Sequence, residues 1–229
     1  MSTIDDNESR KQLHDAAYAA RLHELEEPRR LKAVLAHHPL PTHAVILDVG
    51  CGSGALAEFL GDSIGEYHGV DFSAAFIDRA RERFGPSGDT VRHFHCMDVV
   101  DFVAGNPGRF DRVYALDVSE HVPDEEWAAM VAAFHRALKP GGMAIIHTPN
   151  LDFLIERMKQ HNVLLKQFPE HIAVRTAAGN AAFFKRAGFR SVTTTRLPHY
   201  NVLRFLHPLN RVPLIGRWFA ARLLIGATR

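Results

Sequence analysis

The stretch 45–60 constrains the fold of this chain more than any other segment. It reads VILDVGCGSGALAEFL: a short apolar run, three alternate glycines, and apolar residues at helical spacing. The apolar run is typical of a strand buried on both faces. Glycines before a helix N-terminus let the backbone turn sharply and approach a ligand. The stretch predicts a nucleotide-binding element, although Gly50, Gly52 and Ala55 also satisfy the dinucleotide fingerprint.

Predicted strands and helices alternate after this element, which indicates a parallel sheet with helices on both faces. Residues 8–38 form a predicted helical cap that Pro28 divides. A helix is predicted at 173–187, and short amphipathic helices are expected between the last two strands. Further strands are predicted at 67–71, 91–96, 110–116, 143–148, 191–197 and 222–227. We expect one domain, with a cap at 1–43, a core at 44–150, a lid at 151–172 and a C-terminal part at 173–229.

The net charge of +1 hides a strong asymmetry along the chain. Glu170 is the last acidic residue, and residues 171–229 contain ten Lys or Arg. Such a basic part is typical either of an anionic partner or of a solvated basic face. The polar N-terminus, the lack of a long apolar run and the two cysteines, Cys51 and Cys96, favour a protein of the reducing cytoplasm.

Polar residues follow the predicted strands at the edge where such sheets bind ligands. Asp71 comes 21 residues after Gly50, where a carboxylate accepts hydrogen bonds from ribose hydroxyls. Asp98 is positioned to accept from an adenine amino group. Alternatively, both aspartates only cap loops, but two of them behind a glycine loop favour nucleoside binding. The remaining candidates at this edge are Asp48, Asp117 and His147, with Phe72, Met97 and Val99 as lining for the adenine faces.

Several short motifs occur in order along residues 44–150. They are VILDVGCGSG at 45–54, GVD at 69–71, MD at 97–98, FD at 110–111, EHV at 120–122 and LKPGG at 138–142. In combination, these motifs resemble class I S-adenosylmethionine-dependent methyltransferases. The Glu120-His121-Val122 and Thr148-Pro149-Asn150 segments are most similar to the ubiquinone-biosynthesis O-methyltransferase branch and its small-molecule relatives.

The resemblance implies a three-layer α/β sandwich with a seven-stranded sheet of order 3-2-1-4-5-7-6 that closes in an antiparallel hairpin. It implies that the loop at 50–54 holds the methionine part of S-adenosylmethionine, Asp71 the ribose and Asp98 the adenine. Leu116 or Asp117 would face the cofactor or the acceptor. The cofactor-binding residues expected on this basis are Asp48, Gly50, Cys51, Gly52, Gly54, Asp71, Phe72, Met97, Asp98, Val99 and Leu116.

A hydroxyl acceptor requires a group that removes its proton, and His121 is the candidate base because imidazole titrates near neutral pH. His121 also fits a packing or capping role, and His147 faces either the acceptor or a structural partner. A metal site is not favoured. The alternative is that Asp117, Glu120 and His121, at i, i+3 and i+4, meet on one helical turn and bind a divalent ion.

We therefore expect a methyltransferase of a small molecule, most simply at a hydroxyl or carboxyl oxygen, with N- or C-methylation as the alternative. A non-catalytic cofactor-binding protein or scaffold subunit is the alternative from another class. No nucleic acid is expected, since 116–119 reads LDVS rather than the Asn/Asp-Pro-Pro-aromatic motif of nucleic-acid amino-methyltransferases. The basic insert, residues 198–220, predicts contact with an anionic membrane or with an apolar acidic acceptor. A homodimer is a further expectation.

Overall fold

The computed structural model describes residues 28–85, 91–160, 171–199, 202–213 and 215–229. Seven strands form one sheet in the order β3-β2-β1-β4-β5-β7-β6, as predicted. Strand β7 runs antiparallel to both of its neighbours, while the other described pairs are parallel. The strands are β1 Val45–Val49, β2 Glu66–Asp71, β3 Val91–Cys96, β4 Phe110–Leu116, β5 Leu138–Pro149, β6 Ser191–Leu197 and β7 Arg222–Thr228.

Seven described α-helices cover the two faces of the sheet. Several begin at a residue that the sequence marks: Pro28 opens the first, and the Ser73 and Thr176 side chains cap two others. The α-helices are α1 Pro28–His37, α2 Ala55–Leu60, α3 Ala74–Phe84, α4 Val99–Ala104, α5 Asp124–Ala137, α6 Leu154–Gln160 and α7 Ala177–Arg186.

Two predicted boundaries were wrong. Helix α7 begins at Ala177 rather than near Ala173, because Thr176 Oγ1 accepts a hydrogen bond from Gly179 N and ends the irregular segment before it. Strand β5 begins at Leu138, so the residues predicted only to stop α5 already belong to the strand. The register against β4 shifts between Phe110 and Arg112, which absorbs the extra residues as an irregularity of the ladder.

The hydrophobic core has one layer on each side of the sheet, which confirms the three-layer sandwich. Helices α4, α5 and α7 bury Phe102, Trp127 and Phe184 against one face. On the other face, α1 buries Leu31 and Val34 beside α2 and α3, so the described part of the predicted cap is an integral part of the core.

The embellishments are described only in part. The predicted lid contains α6, and the basic insert contains two short 3₁₀ helices, Val202–Arg211 and Gly216–Phe219. Residues 8–27 of the cap and 161–170 of the lid lie outside the described residues. Among the described helices, none has the length and apolar character that crossing a membrane requires.

Candidate functional site

The glycine loop after β1 has a backbone that only glycine adopts easily. Gly50, Gly52 and Gly54 all have positive φ angles, of 67°, 53° and 87°. A Cβ at Gly50 would lie 2.6 Å from the Val118 side chain, and one at Gly54 would lie 2.6 Å from Phe84. A Cβ at Gly52 would meet only an aromatic carbon, at 3.9 Å, within a 4 Å radius. The loop is therefore packed at both ends and open at its centre, which suits close approach of a ligand.

Asp71 connects this loop to the end of β2. Its Oδ2 accepts a hydrogen bond from Gly52 N at 3.1 Å, and its Oδ1 accepts one from Ser73 N at 2.9 Å. Each carboxylate oxygen has a second lone pair with which to accept from a hydroxyl. Next to it, Phe72 and Met97 remain 44% and 39% exposed. An apolar surface beside a fixed acceptor fits the predicted nucleoside position.

Asp98 caps α4 through a hydrogen bond from Val100 N to Oδ1, at 2.6 Å. Its side chain is exposed at the same edge of the sheet as Asp71, whereas Val99 is buried. Helix capping is the alternative role for Asp98 that the sequence left open. Because only Oδ1 accepts the capping hydrogen bond, Oδ2 remains able to accept one from a ligand. The adenine contact of Asp98 stays a prediction, as do those of Met97, Val99 and Leu116.

Asp48 and Cys51 are buried beneath the loop. Tyr67 Oη donates to Asp48 Oδ2 at 2.5 Å, and burial raises the pKa of Asp48 to about 7. Burial also raises the pKa of the Cys51 thiol well above its ordinary value. Both groups support the loop from below, and the protonated Cys51 is not a nucleophile at neutral pH.

A charged cluster lies at the ends of β4 and β5. The Asp117 carboxylate binds Arg30 of α1, accepts from His147 Nδ1 at 2.9 Å, and lies 3.3 Å from an Arg222 nitrogen. Burial opposes ionisation of Asp117, but His147, Arg30 and Arg222 hold its pKa well below the ordinary value. Asp117 is thus an ionised structural anion. His147 is buried, and burial lowers its pKa.

Asp117, Glu120 and His121, the alternative metal ligands that the sequence left open, do not lie on one continuous helical turn. Asp117 has a positive φ of 57°, and the 3₁₀ turn begins after it, at Ser119. Instead, ligand atoms of Glu120, His121 and His171 lie within 4.8 Å of one another. Spacing of i, i+3 and i+4 brings side chains together only in a continuous helix, and the backbone at Asp117 interrupts it.

Glu120 is 1% exposed and accepts a hydrogen bond from Thr148 Oγ1 at 3.1 Å. Burial and the nearby Asp117 charge raise the pKa of Glu120 to about 8, so it is mostly protonated at pH 7. The neighbouring His121 ring is half-buried and packs edge-on against His171, with ring centres 5.1 Å apart. Burial and His121 lower the pKa of His171 to about 4.

Sequence reasoning missed Arg30, Arg222, His171 and Arg175. The buried Arg175 donates to Ser119 O and Val122 O at 2.6 and 2.7 Å, which fixes the segment 171–176 against the His121 turn. The position of Arg222 could have been inferred from the predicted strand order. Arg222 begins β7 and pairs with Pro149, so the antiparallel strand β7 starts where β5 ends, beside the residues that follow β4.

Comparison with known proteins agrees with this architecture. The family described as "methyltransferase domain" matches residues 15–194. The ubiquinone biosynthesis O-methyltransferase of Thiobacillus denitrificans is 40% identical over 129 residues, which are 56% of this chain and 53% of that protein. The chain spans about half the length of the curated relatives it matches.

Solved structures share the fold at low sequence identity. A SAM-dependent methyltransferase from Archaeoglobus fulgidus matches with a TM-score of 0.71 and 18% identity, over 94% of this chain and 100% of that one. The [4+2]-cyclase SpnF matches with a TM-score of 0.62 and 17% identity, over 88% of this chain and 80% of that one. The fold thus supports more than one reaction.

The sheet order and the glycine loop with its strand-end aspartates define a Rossmann-like α/β nucleotide-binding protein. Within that class, the family match over residues 15–194 is decisive, and the chain belongs to the methyltransferase domain family.

The burial of Asp48 predicts that the free energy of unfolding decreases as the pH rises. Because its folded pKa is about 7 against an ordinary 3.8, its stabilising contribution is present below pH 4 and is lost as pH rises through 7. Asp48→Asn keeps an acceptor for Tyr67 and removes the charge. We expect it to raise the free energy of unfolding at pH 8 by up to about 4 kcal/mol, and to leave it nearly unchanged at pH 4.

Urea denaturation at the two pH values measures this difference. The control is Asp62→Asn, whose 82% exposed side chain predicts little effect at either pH. A gain from Asp48→Asn that is equal at both pH values would contradict the raised pKa.

Proposed function

We propose that this protein binds S-adenosylmethionine and transfers its methyl group to an oxygen of a small molecule. The observation that carries the proposal is the Asp71 carboxylate, fixed by Gly52 N and Ser73 N beside exposed Phe72 and Met97. The nucleoside would lie on this surface, and its ribose hydroxyls would donate to Asp71. The ubiquinone O-methyltransferase relatives support an oxygen acceptor in a biosynthetic pathway.

The cofactor would supply a methyl group that is already activated on a sulfonium. The protein then mainly orients two reactants and excludes water. Val118 packs against Gly50, so the wall after β4 directly adjoins the loop proposed to hold the methionine part. On that wall, His121 is the proposed acceptor of the hydroxyl proton, since it is half-buried beside the buried polar side chains of Ser119 and Glu120.

Cofactor binding is tested by calorimetry with S-adenosylhomocysteine. Asp71→Asn places an amide group against the two backbone donors, so we expect affinity to fall at least tenfold. The control is Asp62→Asn, because the Asp62 side chain is exposed; this variant should bind S-adenosylhomocysteine with the affinity of the wild type. Circular dichroism would confirm that both variants fold. Unchanged affinity in a folded Asp71→Asn variant would refute the ribose contact.

Turnover is tested by homocysteine-coupled detection of S-adenosylhomocysteine with phenols, catechols, carboxylic acids and amines as acceptors. We expect a phenol or catechol to be methylated, with kcat in His121→Gln reduced about 10²- to 10⁴-fold and cofactor affinity retained. His37→Gln, at an exposed position of α1, is the control. Cofactor binding without turnover on any acceptor would favour the non-catalytic or scaffold alternative, whereas turnover only on amines would favour N-methylation.

We also propose that the basic insert contacts an anionic membrane surface. The insert carries exposed apolar side chains in its 3₁₀ helices and between them: Phe205 is 71% exposed, and Leu209, Val212 and Ile215 are about 40% exposed. Arg211 and Arg217 are exposed in the same segments. Apolar residues interleaved with arginines are typical of an interfacial element.

Sedimentation with vesicles tests this contact. The protein should pellet with vesicles that contain phosphatidylglycerol and remain in solution with phosphatidylcholine alone. Phe205→Ala and Arg211→Glu should each reduce the bound fraction severalfold, while Arg190→Glu, exposed outside the insert, should not. Equal binding to both lipids, or no binding, would argue against the proposal.

A further inference from the structure

A second cluster of ionisable side chains lies on the sheet away from the candidate active site. Glu66 and His68 are on β2, and His93 and His95 are on β3, with His68 directly paired to His93 in the ladder. Residues two apart on a strand share a face, so the four side chains lie on one face of the two strands. Glu66 begins β2 and Asp71 ends it, which places Glu66 roughly 16 Å and His68 roughly 10 Å from Asp71.

The cluster has the donor atoms and spacing of a metal site. His68 Nε2 lies 3.1 Å from Glu66 Oε1, and His93 Nε2 lies 3.6 Å from the same oxygen. All three ligand atoms are within 4.8 Å of one another. Around Zn²⁺ with bonds of about 2.0–2.1 Å, tetrahedral ligand atoms are roughly 3.3 Å apart. Little rearrangement would therefore bring these atoms into the coordination sphere of one ion.

The surroundings of His68 are compatible with a role as a metal ligand. The residue is only 4% exposed, and the nearest partner of its Nε2 is Glu66 Oε1, at 3.1 Å and outside normal hydrogen-bond geometry. Its other nitrogen, Nδ1, is 3.2 Å from His95 Nε2. When Nε2 carries the proton, it points at the Glu66 carboxylate and Nδ1 can accept from His95. When Nδ1 carries the proton and donates to His95, the Nε2 lone pair faces the carboxylate and is available to a cation. A hydrogen-bond partner on the far nitrogen is typical of histidine ligands.

We propose that Glu66, His68 and His93 bind a first-row transition metal ion, with Zn²⁺ as the cellular occupant, which links β2 to the edge strand β3. Two imidazoles and a carboxylate are a ligand set suited to Zn²⁺ and poorly suited to Mg²⁺ or Ca²⁺. Three protein ligands leave a fourth position for water. At this distance from Asp71, the ion would stabilise the sheet edge rather than take part in methyl transfer.

Arg109 competes with the ion. A guanidinium nitrogen of Arg109 lies 2.6 Å from Glu66 Oε1, the same oxygen that faces both histidines. The Arg109 side chain is 39% exposed, so it has room to move into solvent when a cation arrives. Removing this arginine should therefore make the metal bind more tightly, which a purely structural role of the cluster would not predict.

The experiment uses tag-free, chelator-treated full-length protein, with Zn²⁺ affinity measured by competition with a chromophoric chelator. His93→Gln is chosen because the His93 side chain is 42% exposed and tolerates replacement. We expect one site, an affinity at least tenfold weaker in His93→Gln, and a severalfold tighter affinity in Arg109→Gln. His37→Gln, which removes an exposed histidine elsewhere, should match the wild type. A second series in a His121→Gln background removes the competing Glu120–His121–His171 cluster.

Thermal unfolding gives a second readout. At a hundredfold excess over Kd, Zn²⁺ should raise the Tm of the wild type by roughly 5–10 °C, and the same concentration should leave His93→Gln nearly unchanged. The proposal would be overturned if folded His93→Gln bound Zn²⁺ as tightly as the wild type. It would also be overturned if His121→Gln by itself abolished Zn²⁺ binding, or if the wild type bound no Zn²⁺ at micromolar concentration. The cluster would then be a hydrogen-bonded histidine stack only. None of these outcomes affects the proposed methyl transfer.

Discussion

The ionised Asp117 carboxylate is the contact on which the acceptor side of the site depends. It contacts Arg30 of α1, His147 of β5 and Arg222 of β7 through hydrogen bonds or ion pairs. These three segments are far apart in the sequence. The Asp117 side chain is 24% exposed, and a partly buried charge that loses its partners is destabilised, so the contact holds the three segments to one point. The cap helix and the closing strand are thereby joined to the ends of the central strands.

This fixed anion also determines the chemistry of its neighbours. Its charge adds to burial in keeping Glu120 protonated near neutral pH, and the positive φ at Asp117 turns the chain into the 3₁₀ turn that carries His121. The same turn places Val118 against Gly50. The segment after β4, which would face an acceptor, therefore packs directly against the glycine loop, which would face a cofactor. A substitution in one of these segments is expected to alter the packing of the other.

The strands were predictable from the sequence because their signals are local. Periodicity, Pro28 and the Ser73 cap locate element ends within a few residues, and the resemblance supplied the strand order. The Asp71 position followed from its distance to the glycine loop. The pairing of Arg30 with Asp117, 87 residues apart, has no local signal, since it depends on how α1 packs across the sheet. The alternative of a metal-binding helical turn after β4 could not be judged from the sequence, because residue spacing does not reveal the left-handed backbone at Asp117.

Among the described residues, the ends of β4 and β5 and the His121 turn bring together five acidic or histidine side chains: Asp117, Glu120, His121, His147 and His171. The four other than His121 are poorly suited to accept a proton. Burial and His121 lower the pKa of His171 to about 4, which makes it a weak base. Asp117 is neutralised by two guanidinium groups, and its strongly lowered pKa makes it a weak base. Glu120 already carries a proton near pH 7. His147 is buried, with Nδ1 engaged by Asp117. The different environments therefore keep Asp117 ionised, Glu120 protonated and His147 buried in a hydrogen bond. His121 is the group left in a half-buried position beside them, and this elimination favours it as the base more strongly than the sequence motif alone does.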